Sequence, residues 1–243
     1  MQVRAWSKTD VGCVRRQNED ACITVIQPDR ALGMVCDGMG GANAGEVASE
    51  MASQIFSGVI TTGNDTPEEL MRLGLEQANA AVYRHSLSHA ECRGMGTTLV
   101  AAMIIDDMAY VLNVGDSRAY TIAGGSIRQL TQDHSLVQEL VRAGTITPEE
   151  AAYHPHRNII TRALGTERKV VGDLFVHRLI PGERLLLCSD GLSNELGEED
   201  LLTLMETGPA EQSCDRLIEA ALAHGARDNV TAVVMELADS SEG

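Results

Sequence analysis

The 243-residue chain has very little lysine, only Lys8 and Lys169, and its formal net charge is −16. That balance argues against nonspecific binding to nucleic acid or to an anionic membrane, because both need basic side chains to neutralise phosphates. No uncharged apolar run of about 18 residues is present, and the opening MQVRAWSKTD carries charges where a signal peptide needs an apolar stretch. A soluble, cytoplasmic protein without membrane insertion is therefore expected. The six cysteines (Cys13, Cys22, Cys36, Cys92, Cys188, Cys214) include no C-x-x-C pair and mostly lie inside apolar segments. This disfavours a zinc site or a disulfide framework and predicts reduced core thiols. There is no repeat, low-complexity tract or linker to divide the chain, so residues 1–243 are expected to form one domain.

What is abundant is aspartate at places where the chain turns. Asp20 in RRQNED, Asp37 in DGMGG, Asp116 in GDSR, Asp190 in SDGL and Asp228 in RDNV each sit beside glycine, asparagine or another acid. Three of them follow apolar runs that read as buried strands: ALGMVC, AYVLNVG and RLLLCS. Carboxylates gathered at strand ends repel one another unless cations lie between them. Carboxylate and backbone carbonyl are hard oxygen ligands, which select Mg²⁺ or Mn²⁺ over softer metals. Between two such ions water becomes a hydroxide nucleophile near neutral pH, and the ions neutralise charge on a phosphoryl group, so phosphate-ester hydrolysis is the expected chemistry. The neighbouring Gly38, Gly40, Gly41, Gly115 and Gly191 let the backbone turn tightly beside the ligands.

The pattern predicts strands at VRAWSKTD, ACITVIQ and ALGMVCD, then a helix from Ala44 with the stripe Val47, Met51, Ile55, Val59. A second helix starts at Thr66-Pro67-Glu68-Glu69 with a capping box and runs to about His85 or beyond. TTLVAAMII, MAYVLNV, RAYTIA and SIRQL predict an antiparallel meander. Two short helices then form a surface flap over about 133–165, one striped by Leu136, Leu140 and Val141, the other opened by Thr147-Pro148-Glu149-Glu150. Strands resume at DLFVHRLI and ERLLLCSD, helices follow at EEDLLTLME and AEQSCDRLIEAALAHG, and NVTAVVMEL closes as a strand. The fold class is α+β: two packed antiparallel sheets flanked by helices, a four-layer α-β-β-α sandwich with a helical flap.

Six motifs stand in one order: Arg15-x-x-Asn18-Glu19-Asp20, Asp37-Gly38-Met39-Gly40-Gly41, Gly94-x-Gly96-Thr97-Thr98, Gly115-Asp116-Ser117-Arg118, Ser189-Asp190-Gly191-Leu192 and Arg227-Asp228-Asn229-Val230-Thr231. In them the chain resembles the bacterial branch of the type 2C metal-dependent protein serine/threonine phosphatases, the PPM family, from about Thr9 to Val234. The resemblance implies that Asp37 bridges two core Mn²⁺ or Mg²⁺ ions and that the Gly38 carbonyl, Asp190 and Asp228 complete their shells. It implies that Asp20 holds water ligands with Glu19 and Asn229 in support, and that Asp116 with Asp190 forms a weaker third site. Arg15 would grip the substrate phosphate, a role suited to its planar fork.

The implied activity is removal of phosphate from serine and threonine of phosphoproteins by a monomer, opposing a cognate kinase. Met39 stands where some relatives place a proton-donating histidine, so the general acid is open between metal-bound water and the flap histidines His154 and His156. The Gly94–Thr98 stretch lacks the lysine of a P-loop and reads as close packing at a strand start. The competing functions are a catalytically silent phosphoprotein-binding module and a phosphatase of small metabolites.

Overall fold

The computed structural model describes residues 2–41 and 44–238. In chain order the strands and helices are β1 (Val3–Asp10), β2 (Asp20–Ile26), β3 (Ala31–Met39), α1 (Ala44–Thr62), α2 (Pro67–Ser88), β4 (Gly96–Thr97), β5 (Leu99–Ile105), β6 (Met108–Val114), β7 (Arg118–Ala123) and β8 (Ser126–Gln129). They continue with α3 (Leu136–Arg142), α4 (Pro148–Ala152), β9 (Asp173–Arg178), β10 (Arg184–Cys188), α5 (Asp190–Ser193), α6 (Glu198–Glu206), α7 (Ser213–Ala223) and β11 (Val230–Leu237). One sheet has the order β1-β11-β10-β7-β8, the other β2-β3-β5-β6-β9 with β4 paired to the end of β3, and all neighbours are antiparallel.

Strand residues alternate between two buried faces, as the period of two demands. In β11, Val230, Ala232 and Val234 pack towards the α5–α7 layer, while Val233, Met235 and Leu237 enter the space between the sheets. In β3, Leu32, Met34 and Cys36 face α1 and α2, and Ala31 and Val35 face the opposite sheet. Those three apolar layers make the expected α-β-β-α sandwich.

Four local expectations change. The predicted stripe of α1 lies at the margin of its contact: the fully buried row is Ala44, Ala48, Ala52, Phe56 and Ile60, with Val47, Met51 and Ile55 half-buried beside it. Alanine wins because it lets the helix axis approach the sheet. At α2, Pro67 occupies the first turn but Thr66 makes no side-chain cap bond, so the capping box is not formed. In the flap, the buried residue of α3 is Val137 rather than the predicted stripe, while the Thr147–Glu150 capping box of α4 is present. The meander is split: β5 and β6 belong to one sheet and β7 and β8 to the other, so the chain changes sheets at Gly115-Asp116-Ser117. Four of the six cysteines are buried and all six are free thiols; Cys13 is exposed. Among the described residues no helix is long and apolar enough to cross a membrane.

Candidate metal centre

Both sheets deliver their acidic turns to one rim. Asp20 opens β2 and stands directly opposite Asp37 near the end of β3 in the antiparallel register. Like charges at such a pair are unfavourable in a sheet unless something else compensates them. Asp116 follows β6, Asp190 follows β10 as the first residue of the short helix α5, and Asp228 precedes β11.

The backbone around these side chains is held by hydroxyls. Thr98 Oγ1 accepts from the Asp37 N–H at 2.9 Å, Thr97 Oγ1 donates to the Asp37 carbonyl at 2.9 Å, and Thr98 shares a 2.7 Å hydrogen bond with Ser117 beside Asp116. Thr231 donates to Asp20 Oδ2 at 2.6 Å and meets Thr9 at 2.7 Å. Asn229, 3% exposed, accepts from Glu19 N–H at 2.8 Å and donates to the carbonyls of Val11 (3.0 Å) and Gln17 (2.9 Å). It thereby stitches loop 11–19 to the turn that carries Asp228. The Glu19 carboxylate lies against Gly45 at the start of α1, where a Cβ would be 2.5 Å from its Oε1, so that helix packs on the same loop. Thr97, Thr98, Ser117 and Thr231 are thus positioning residues, for Thr97 and Thr98 a role beyond the strand-start packing read from the sequence. Thr98→Val keeps the volume but leaves the buried Asp37 N–H unpaired. It is expected to cost about 2 kcal/mol of stability and roughly tenfold in activity at limiting Mn²⁺, read by thermal melts and a metal titration.

The electrostatics show what the cluster lacks. Burial is the main cause that raises Asp37 well above the usual carboxylate range, and the fields of Asp20, Asp190, Asp116 and Asp228 add to it. Burial likewise pushes Asp20 and Asp116 up to about 7, with Asp190 contributing to both. Asp190 is also raised, by burial and then by Asp228, while Asn194 Nδ2 donates to its Oδ2 at 3.1 Å. Local arginines do not supply enough charge: Arg15 Nη2 donates to Asp228 Oδ2 at 2.8 Å, and Arg118 is engaged by Asp133 at 2.7 Å. Among the described residues no group of three His, Cys, Asp or Glu side chains closes into a ready-made ion cage. That arrangement still fits Mg²⁺ or Mn²⁺, since a small hard ion can be held by one or two carboxylates and keep several waters. It does not fit a closed zinc site.

Close backbone approach accompanies the carboxylates. A Cβ on Gly38 would press into the Gly45 carbonyl and lie 2.5 Å from the Glu19 carbonyl; one on Gly191 would press into the Asn229 carbonyl. Met39 continues β3 with its methyl over Gly96, where a Cβ would meet it at 3.1 Å.

The flap is rooted at this rim. His134 N–H donates to the Gly115 carbonyl at 2.9 Å, and Thr97 pairs with Leu164. The sequence reading passed over His134, which is 1% exposed. Its Nδ1 accepts from Gly115 N–H at 3.1 Å and its Nε2 lies 3.2 Å from both Asp173 and Arg162. In the sequence it is one of several histidines in a segment rich in His and Arg, and no motif singles it out. His154 and His156 lie on the outer flap with ring centroids 5.6 Å apart and a 3.1 Å bond from His156 N–H to His154 Nδ1. Among the described residues no hydrogen bond or ion pair joins either ring to the aspartates.

Known proteins resemble this chain in sequence and fold. The family model described as protein phosphatase 2C matches residues 14–234. The serine/threonine phosphatase stp of Listeria monocytogenes is 40% identical over 241 residues, covering 96% of each chain. The crystal structure of the serine/threonine phosphatase Stp1 from Staphylococcus aureus superposes with a TM-score of 0.92 at 38% identity, covering 98% of this chain and 96% of that one. The catalytic domain of the serine threonine protein phosphatase PstP, solved in complex with 2 manganese ions, matches with a TM-score of 0.87 at 34% identity over 98% of this chain and 99% of that one. With the family model matched over most of its length, a relative 40% identical over 96% of both chains and a fold that superposes on solved phosphatases, the chain belongs to the protein phosphatase 2C family.

Proposed function

We propose that this chain is a metal-dependent phosphatase that hydrolyses phosphoserine and phosphothreonine monoesters of proteins, opposing a serine/threonine kinase. The observation that carries the reading is the Asp20–Asp37 pair facing across β2 and β3, at a rim where Asp116, Asp190 and Asp228 add three further carboxylates. Asp37, the Gly38 carbonyl, Asp190 and Asp228 would hold two core Mn²⁺ or Mg²⁺ ions, with Asp20 orienting bound water and Glu19 and Asn229 bracing the loop. Asp116 and Asp190 would hold a weaker third ion. When bound, such ions supply a nucleophile at neutral pH and neutralise charge on the phosphoryl group. The two sheets and their helices act as one monomeric catalytic domain in the cytoplasm, and the segment of about 133–165 serves as its flap.

Arg15 is the phosphate ligand in this reading. Its present partner is Asp228, but the two side chains are 49% and 36% exposed. An ion pair so open to water contributes only about 0–1 kcal/mol, so exchanging Asp228 for a phosphate dianion costs little. Arg15→Ala is expected to raise KM for a phosphothreonine peptide about tenfold with kcat nearly retained. An unchanged KM in steady-state kinetics removes this role.

A further inference from the structure

In a chain with 35 acidic residues against 19 Lys and Arg, cations left free at the mouth of a carboxylate site call for a reason. Arg16 and Arg227 are both exposed, and among the described residues neither side chain makes a hydrogen bond or ion pair. They neighbour the two halves of the site, Arg16 next to Arg15 and Arg227 next to Asp228. The two segments are fixed together: Cys13 N–H donates to the Ala226 carbonyl at 2.8 Å, Arg15 to Asp228 at 2.8 Å, and Asn229 to Gln17 at 2.9 Å. Gly12, at φ +77°, lets them approach so closely that a Cβ there would lie 3.0 Å from the Ala226 carbonyl. Arg15, Arg16 and Arg227 therefore stand on two segments bonded to each other at the rim, with Val14 exposed on the same loop as Arg15 and Arg16.

We propose that Arg16 and Arg227 form an anion subsite beside the phosphate position. It selects substrates carrying a carboxylate or a second phosphate within about three residues of the phosphoserine or phosphothreonine, since three extended residues span roughly 10 Å, the reach of adjacent arginine side chains. The inference rests on the phosphatase reading above. Planar guanidinium forks suit both anions. The acidic remainder of the surface repels such a peptide, so its binding energy is concentrated at this rim, and exposed contacts of this kind weaken as salt rises.

The test compares three phosphothreonine peptides at saturating Mn²⁺: neutral flanks, glutamates at flanking positions, and a second phosphothreonine. Wild type is expected to favour the glutamate and doubly phosphorylated peptides over the neutral one by roughly tenfold in kcat/KM, through KM, at low salt. In Arg16→Ala/Arg227→Ala the ratio falls towards one, and Arg16→Lys/Arg227→Lys restores part of it. The neutral peptide reports folding and metal loading in each variant. Preference for only one acidic peptide identifies which anion the subsite takes. Equal hydrolysis of all three by wild type, or a preference surviving in the double alanine variant, overturns the subsite alone. Absence of turnover with every peptide overturns the phosphatase reading and the subsite with it.

Discussion

Asp37→Asn is expected to lower peptide-phosphatase turnover by roughly 10³-fold or more, equivalent to about 4 kcal/mol of transition-state stabilisation. The same variant should be more heat-stable than wild type when both are free of metal. The two effects have one cause. Asp37 receives the fields of four other aspartates in a buried setting, so its charge opposes folding until a cation arrives. A neutral amide removes the repulsion together with the proposed metal ligand. The sign follows from linkage: a carboxyl whose folded pKa lies above its unfolded value binds more protons in the folded state, so stability falls as pH rises between the two. With Asp20 and Asp116 pushed up to about 7 against an ordinary value near 3.8, the metal-free protein should lose stability from about pH 4 to 7. Thermal melts in chelator across that range check the slope. Asp37→Asn and added Mn²⁺ should each flatten it, and an unaltered slope in both contradicts the clustered-charge account.

Gly38→Ala is expected to cost about 3 kcal/mol or more, lowering Tm by about 10 °C in a domain of this size. The added methyl would be driven into the Gly45 carbonyl on one side and lie 2.5 Å from the Glu19 carbonyl on the other, both backbone atoms without freedom to turn aside. Relief requires α1 to lift from β3, which also draws Gly45 away from the Glu19 carboxylate packed against it. Gly41→Ala, in the same DGMGG motif, meets nothing within 4 Å and should be near neutral. Differential scanning of the two variants decides the point, because equal melting temperatures would mean that the close crossing of α1 and β3 is absent.

The sequence was legible where one physical signal dominates. Short continuous apolar runs located β3, β6, β10 and β11, and the aspartates at their ends pointed to the rim. It was less legible where several arrangements share one pattern. A strand, a turn and a second strand look alike whether they pair in one sheet or cross between two, so the passage at Gly115-Asp116-Ser117 from β6 to β7 was read as a meander. The contact face of α1 was misjudged because hydrophobic size favoured Val47 and Met51, whereas close packing favoured Ala48 and Ala52. Thr97, Thr98 and Ser117 looked bland because a hydroxyl's value depends on which N–H or carbonyl the fold brings to it. Arg15 was recognised by type, yet its engagement with Asp228 becomes visible only when residues 213 apart in sequence meet.

The central claim is that the aspartate rim hydrolyses phosphate esters through hard divalent ions. The most direct test is release of inorganic phosphate from a phosphothreonine peptide by the purified protein in Mn²⁺, in Mg²⁺ and in excess chelator, with Asp190→Asn alongside. The account predicts turnover with at least one of the two ions, none in chelator, and near-complete loss in Asp190→Asn. Turnover that persists in chelator, or an Asp190→Asn rate equal to wild type, contradicts it.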